Sequence, residues 1–283
     1  MTTTCQPLSL FARIAHLARM ARPFRLARTA RQLALVLAAG YVASAAQAAE
    51  LSVLSAGAIE PGLKAAVAAF EKQTGDSVRI TFNTAPELRK KMAASPAFDV
   101  VIAPPAVISE FASAGQLSES RANVGRVGMG VAVKAGAPVP DITTPEFLQR
   151  AVLAADSLVF NRASTGLYLE GLLKKMGIYE QVEGKTTRYP DGGAVMEHVL
   201  HDKAGKTAGK QAEIGFGAIT EIRLYESQGL QFVGPVPAAV QNYTAYTAAP
   251  LASGQQQALA QGLVAFLAGP VGKPLFVAAG VTD

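Results

Sequence analysis

"VFNRASTGLYLEGLL", residues 159–173, changes character twice along its length. Val159 and Phe160 close an apolar, strand-like run, "DSLVF" (156–160). Asn161-Arg162-Ala163-Ser164-Thr165-Gly166 then interrupts it with small and polar residues. Beyond the interruption, Leu169, Leu172, Leu173 and Met176 return at the spacing of one helix face. A strand, a small-residue corner and an amphipathic helix together make the repeating unit of an α/β fold. Hydroxyl groups beside a lone arginine make a poor core. They suit the holding of negative charge.

The same unit recurs in both directions along the chain. "LSVLSAGA" (51–58) reads as a strand, and Leu63, Val67 and Phe70 mark the helix after it. "SVRITF" (77–82) is a strand before a helix with Leu88 and Met92 inward. "FDVVIA" (98–103) is a buried strand, and "VISEFASAGQL" (107–117) a short helix. "RVGMGVAVKAG" (126–136) is a strand whose glycines imply close backbone packing. Thr144-Pro145 opens a further helix, with proline at its first position. "TTRY" (186–189) precedes a helix containing Met196 and Val199, and "AEIGFGAI" (212–219) is a strand. "GFGAITE" (215–221) reads as that buried strand running into a loop, and Leu259, Leu263, Phe266 and Leu267 mark the last helix. Strands separated by helices predict α/β layers with mostly parallel sheets.

The formal charge of +5 is concentrated in the first 48 residues, which hold six arginines and no acid. Twenty basic residues then face 21 acidic ones, a near-neutral balance of −1. That balance argues against nucleic acid or an anionic membrane as partner, since both require a net basic face. The leading segment reads as a cleavable export signal: "MARPFRLARTARQ", the apolar "LALVLAAGYVASA", then Ala46-Gln47-Ala48 as the cleavage site. Its apolar run is too short to span a bilayer, and either Met1 or Met20 serves as the start. Once the signal is removed, no stable membrane insertion is expected. Cys5, the one cysteine, lies inside that segment, so disulfides, thiolate metal sites and cysteine nucleophiles are excluded downstream.

Four strand–helix corners carry the candidate chemistry: Ser55-Ala56-Gly57-Ala58 before Pro61, Asn83-Thr84-Ala85-Pro86-Glu87, Ser164-Thr165-Gly166, and Asp191-Gly192-Gly193. Thr84 and Glu87 have capping-box spacing, and Asp191 is placed to cap the fourth helix. Each helix start offers unpaired N–H groups and the positive end of a dipole. Several such starts around one cleft would form an anion site with few charged side chains. Gly57, Ala58, Thr84, Ala85, Ser164, Thr165 and Gly192 are therefore the candidate ligand contacts, with Arg162 and Arg188 as two-point carboxylate anchors. The chain has no GxSxG elbow, GxxxxGK[ST] loop or GxGxxG turn. His198 and His201 lack further ligands for a metal and are expected to face solvent, as is the basic stretch 201–211. Neither cofactor nor metal is predicted.

"LSVLSAGAIEPGLKAAVAAFEKQTG", "ITFNTAPELRKKM", "FDVVIAPP", "STGLY" and "EIGFGAI" occur in the order found in the periplasmic molybdate-binding proteins of ABC transporters, which residues 50–283 resemble. The resemblance implies a type-2 periplasmic binding protein fold, with two α/β lobes, a two-strand hinge and an anion in the cleft between them. Lobe one would span 50–125 plus 235–283, and lobe two 126–234. In that family two serines, a tyrosine and backbone N–H groups hold the oxyanion. The serine positions fall here on Ala58 and Ala85, the tyrosine position on Ala218, and the backbone donors on Thr165 and Gly192.

Each charge-assisted hydrogen bond lost costs a buried oxyanion about 1–3 kcal/mol. The alanines thus point to a larger pocket and to a di- or tricarboxylate, passed on to an inner-membrane ABC permease. The chain also resembles the aconitate isomerases built on this scaffold, which move a proton along an allylic system. Glu60, Tyr189, Asp191, His198 and Glu221 are candidate proton carriers for that activity. A molybdate or tungstate receptor is the third reading.

Overall fold

The computed structural model describes residues 48–94, 98–201 and 213–283. The expected leader up to residue 47 and most of the basic stretch 201–211 lie outside the described residues.

Three strand–helix units come first: β1 (Glu50–Ala56) with α1 (Glu60–Thr74), β2 (Ser77–Asn83) with α2 (Ala85–Ala93), and β3 (Val100–Ala103) with α3 (Pro105–Ser113). Prolines at the first turn of α1, α2 and α3 preset the helical φ where no N–H is needed. The long β4 (Ala122–Lys134) follows, then α4 (Pro145–Ala154), β5 (Leu158–Asn161), α5 (Ser164–Lys175) and the single turn α6 (Tyr179–Val182). After these come β6 (Thr186–Tyr189), α7 (Gly192–His201), β7 (Ile214–Ala218), α8 (Ile219–Leu224) and β8 (Leu230–Pro235). The chain closes with β9 (Tyr243–Pro250), α9 (Gln257–Leu267) and α10 (Gly272–Ala278).

The strands run in the order β2-β1-β3-β9-β4-β7-β5-β6, with β8 also on β4. β1 is parallel to β2 and β3, and β5 to β6 and β7, as the βαβ pattern requires. β4 is antiparallel to all its neighbours and serves both halves of the sheet. Its residues from Ala122 to Gly128 pair with β9, and those from Met129 to Ala132 with β7.

The apolar residues divide accordingly. One core joins Leu51, Leu54, Leu63, Phe70, Val101, Leu263 and Phe276. On the other side, successive residues of β5 point to opposite faces, as a strand's period of two demands. Leu158 and Phe160 enter a core with Val131, Leu148, Leu169 and Phe216. Val159 enters another, with Met196, Val199 and Ile222. Both faces of β5 are covered, which explains its unbroken apolar run. Among the described residues no single helix is long and apolar enough to cross a membrane.

Two local expectations are corrected. "GFGAITE" runs from β7 straight into α8 with no loop between them. A polar cap and an amphipathic stripe are both missing from this six-residue helix, whose N-cap is Ala218. At α2, Thr84 occupies the N-cap but makes no side-chain capping bond. Thr84 and Glu87 instead line a cavity.

Candidate functional site

Ligand sites of open α/β sheets lie beyond the carboxyl ends of the strands. A cavity of about 260 Å³ occupies that place here. One side is built by Gly57, Ala58 and Glu60 after β1, by Asn83, Thr84, Ala85 and Glu87 after β2, and by Tyr246 of β9. The other is built by Asn161, Ser164 and Thr165 at the β5–α5 corner, Asp191 and Gly192 before α7, and Glu221, Leu224 and Tyr225 around α8. All four expected corners therefore open on one space, joined by a fifth at β3–α3 through Pro104 and by side chains of α8.

The α5 corner is held by Asn161, which is 3 % exposed. Its Oδ1 accepts from the amides of Ala163 and Gly166, each at 3.0 Å. Gly166 packs so closely on this corner that a Cβ would stand 1.8 Å from the Asn161 carbonyl oxygen. Side chains larger than hydrogen do not fit. The amides of Ser164 and Thr165 are left as helix-start donors facing the cavity. At α7, Asp191 accepts from the Ala194 amide at 2.9 Å, the capping role its sequence position predicts.

Glu221 reaches back from α8 between two corners. A Cβ on Gly192 would lie 2.0 Å from its Oε2 and 2.7 Å from its Oε1, and one on Gly57 would lie 3.6 Å from Oε1. Glycine at 192 is thus what lets the carboxyl lodge there. Burial pushes this carboxyl up to about 7, with Asp191 and Glu60 adding to the shift and a backbone hydrogen bond at Ala218 opposing it. Burial also raises the Tyr246 phenol, with Glu221 adding to it. The Tyr225 phenol is raised by burial first, and further by Glu197, Asp191, Glu221 and Glu60.

Neither expected arginine anchor lines the cavity. Arg188 is committed elsewhere: it pairs with Glu170, donates to the Asn161 carbonyl at 3.1 Å and lies 4.7 Å over the Phe160 ring. Arg162 is exposed, and among the described residues only its backbone is engaged, donating to the Tyr189 carbonyl at 2.8 Å. Tyr189 and His198 form a separate cluster, with Tyr189 Oη 2.6 Å from His198 Nδ1 and His198 Nε2 3.2 Å from Glu213 Oε2. The expectation that His198 faces solvent is therefore corrected: this side chain is half-buried and bonded at both nitrogens, while His201 is exposed. Of the five candidate proton carriers, Glu60, Asp191 and Glu221 reach the cavity. Among the described residues no group of three or more His, Asp or Glu side chains is placed to hold a metal.

Sequence reasoning missed several wall residues. Asn83, at the polar end of β2, presents an Nδ2 that is shut off from solvent and has no partner. Its position before Thr84 was the available signal. Tyr225 and Tyr246 bring phenols into a pocket expected to have lost its aromatic ring at Ala218. Lys64 pairs with Glu60 and stands 5.7 Å over the ring of Phe82, another wall residue.

Residues 51–282 match the family model of the bacterial extracellular solute-binding proteins. The chain belongs to that family. Among its relatives is an aconitate isomerase from a Pseudomonas species, 27 % identical over 246 residues that cover 83 % of this chain and 88 % of that one. The periplasmic molybdate-binding protein of Azotobacter vinelandii superposes with a TM-score of 0.66 at 17 % identity, covering 82 % of this chain and 99 % of its own. A tungstate-binding protein from Desulfovibrio alaskensis gives 0.59 at 18 % identity, covering 80 % and 93 %. At such identities the likeness shows the fold, which is that of a type-2 periplasmic binding protein. The cavity is lined by residues from both halves of the sheet.

Proposed function

We propose that this solute-binding protein takes a small di- or tricarboxylate into the cleft between its lobes. The reading rests on one observation: five strand–helix corners, drawn from both halves of the sheet, face one cavity. Helix-start amides and the Ser164 and Thr165 hydroxyls supply hydrogen bonds that strengthen as closure excludes water. Ala58 and Ala85, which the sequence resemblance sets at a molybdate receptor's serine positions, add methyl groups to the wall, and this favours carboxylates over a tetrahedral oxyanion. Lobe one is assigned to 50–125 plus 235–283 and lobe two to 126–234. The division of the cores supports these bounds, although Val127 and Ala218 pack with the first core and Val236 with the second. After export to the periplasm, the loaded protein delivers its ligand to an inner-membrane ABC permease.

A second reading, aconitate isomerase, is favoured by the Pseudomonas relative and by Glu221, a carboxyl able to take and return a proton near neutrality. In that reaction the base removes a proton from the methylene carbon of trans-aconitate, the double bond migrates, and the proton returns to the former vinyl carbon.

A thermal-shift panel of citrate, tricarballylate, both aconitates, molybdate and tungstate tests the first reading. A polycarboxylate should raise the melting temperature, and stabilisation by molybdate or tungstate alone would overturn it. Incubation with trans-aconitate tests the second. Accumulation of cis-aconitate supports an isomerase, and its absence with a stabilising ligand leaves a receptor.

A further inference from the structure

Four carboxylates line the cleft: Glu60, Glu87, Asp191 and Glu221. No lysine or arginine is among the wall residues. Three of the acids already have partners: Glu60 pairs with Lys64, Glu87 lies 3.8 Å from Lys90, and Asp191 caps α7. Glu221 differs. Its carboxyl is wedged between the corners at Gly57 and Gly192, bonded to the backbone at Ala218 and, among the described residues, in no salt bridge.

The charges that act on Glu221 are negative, and two phenols share its cavity. Glu60 approaches from α1, Asp191 from the start of α7, Tyr225 from the end of α8 and Tyr246 from β9. Glu87 lines the same cavity from α2. Glu197 of α7 acts on Tyr225, and Lys64 is held by Glu60.

We propose that Glu221 meets the ligand as the neutral acid, donating its hydroxyl hydrogen to a ligand carboxylate, so that the cleft takes up one proton with its polycarboxylate. The inference rests on the carboxylate reading above. Two carboxylates at hydrogen-bonding distance in a closed cleft cannot both ionise, and a shared proton turns repulsion into a short, strong bond. The burial that already raises the Glu221 carboxyl acts in the same direction. A ligand group that carries negative charge therefore becomes selectable by an acidic wall.

The test is calorimetric titration of the full chain with tricarballylate, which has no double bond to shift. It is run in buffers of different ionisation heat and repeated with Glu221→Gln, whose amide keeps a donor. The expected result is about one proton taken up per ligand at about pH 8 and above, where tricarballylate is fully ionised. The dissociation constant of the unmodified protein should rise about tenfold per pH unit above neutrality, while that of Glu221→Gln stays within about twofold. No proton uptake, or an equal pH slope in the variant, overturns the inference while leaving carboxylate binding intact. Should the variant not fold, the proton count on the unmodified protein decides alone. If neither tricarballylate, citrate nor either aconitate binds at any pH, the carboxylate reading falls and takes the inference with it.

Discussion

Replacing Glu221 with glutamine should make the free protein more stable in alkaline solution and leave it nearly unchanged in acid. The carboxyl titrates at about 7 in the folded chain against an ordinary 4.5, because burial disfavours its ionised form. A raised acid pKa means the folded state holds its proton longer than the unfolded one. The stability linked to that proton is fully present below about pH 4.5 and is lost as pH rises through about 7. A shift of that size corresponds to about 3 kcal/mol at full expression, an upper figure because the half-buried side chain is partly screened by water. Glutamine carries no such dependence. Urea unfolding of both proteins at about pH 5 and about pH 8.5 reads the difference through the transition midpoints. The variant should gain about 2–3 kcal/mol relative to the parent between the two conditions. Parallel shifts at both pH values would show that the carboxyl is not strained by its surroundings, and would remove the physical basis for its proposed role.

The remaining expectations are structural tests of the corners. Gly166→Ala sets a methyl group against backbone, 1.8 Å from the Asn161 carbonyl oxygen, and should cost about 2 kcal/mol or more in urea unfolding. A neutral result would show that the α5 corner is not packed as described. Arg188→Ala removes the Asn161 carbonyl's side-chain donor and leaves Glu170 with Lys174 alone, and should destabilise by about 1–2 kcal/mol. By contrast Arg162→Ala should leave tricarballylate affinity within about twofold, since its exposed side chain lies outside the cavity wall. A tenfold loss in the same titration would restore the arginine as an anchor.

Much of the architecture can be read from the chain because each element is announced locally. Leu63, Val67 and Phe70 mark α1, and the unbroken apolar run of β5 follows from a strand covered on both faces. The corners at Gly57, Thr84, Ser164 and Asp191 are visible for the same reason: small residues and prolines must lie where strands turn into helices. Interactions between distant segments are not written this way. Arg188 and Arg162 look alike in sequence, yet the pairing of β5 with β6 brings Arg188 onto Phe160 and Asn161 and leaves Arg162 in solvent. His198 looks solvent-facing until the fold sets Tyr189 and Glu213 on either side of it. α8 escaped notice because six residues with no cap carry no periodic signal, and with it went the placement of Glu221 against Gly192. Tyr246 enters the cavity because β9 lies between β3 and β4, a neighbour relation that only the complete sheet defines.

The central claim is that the five corners form one carboxylate seat. A crystal structure of the protein grown with tricarballylate tests it most directly. The account requires the ligand inside the cavity, with carboxylate oxygens about 3 Å from the Ser164 or Thr165 amide and from the Glu221 carboxyl. Tricarballylate bound outside the cavity, or bound within it with the α5 amides still unpaired, would contradict it.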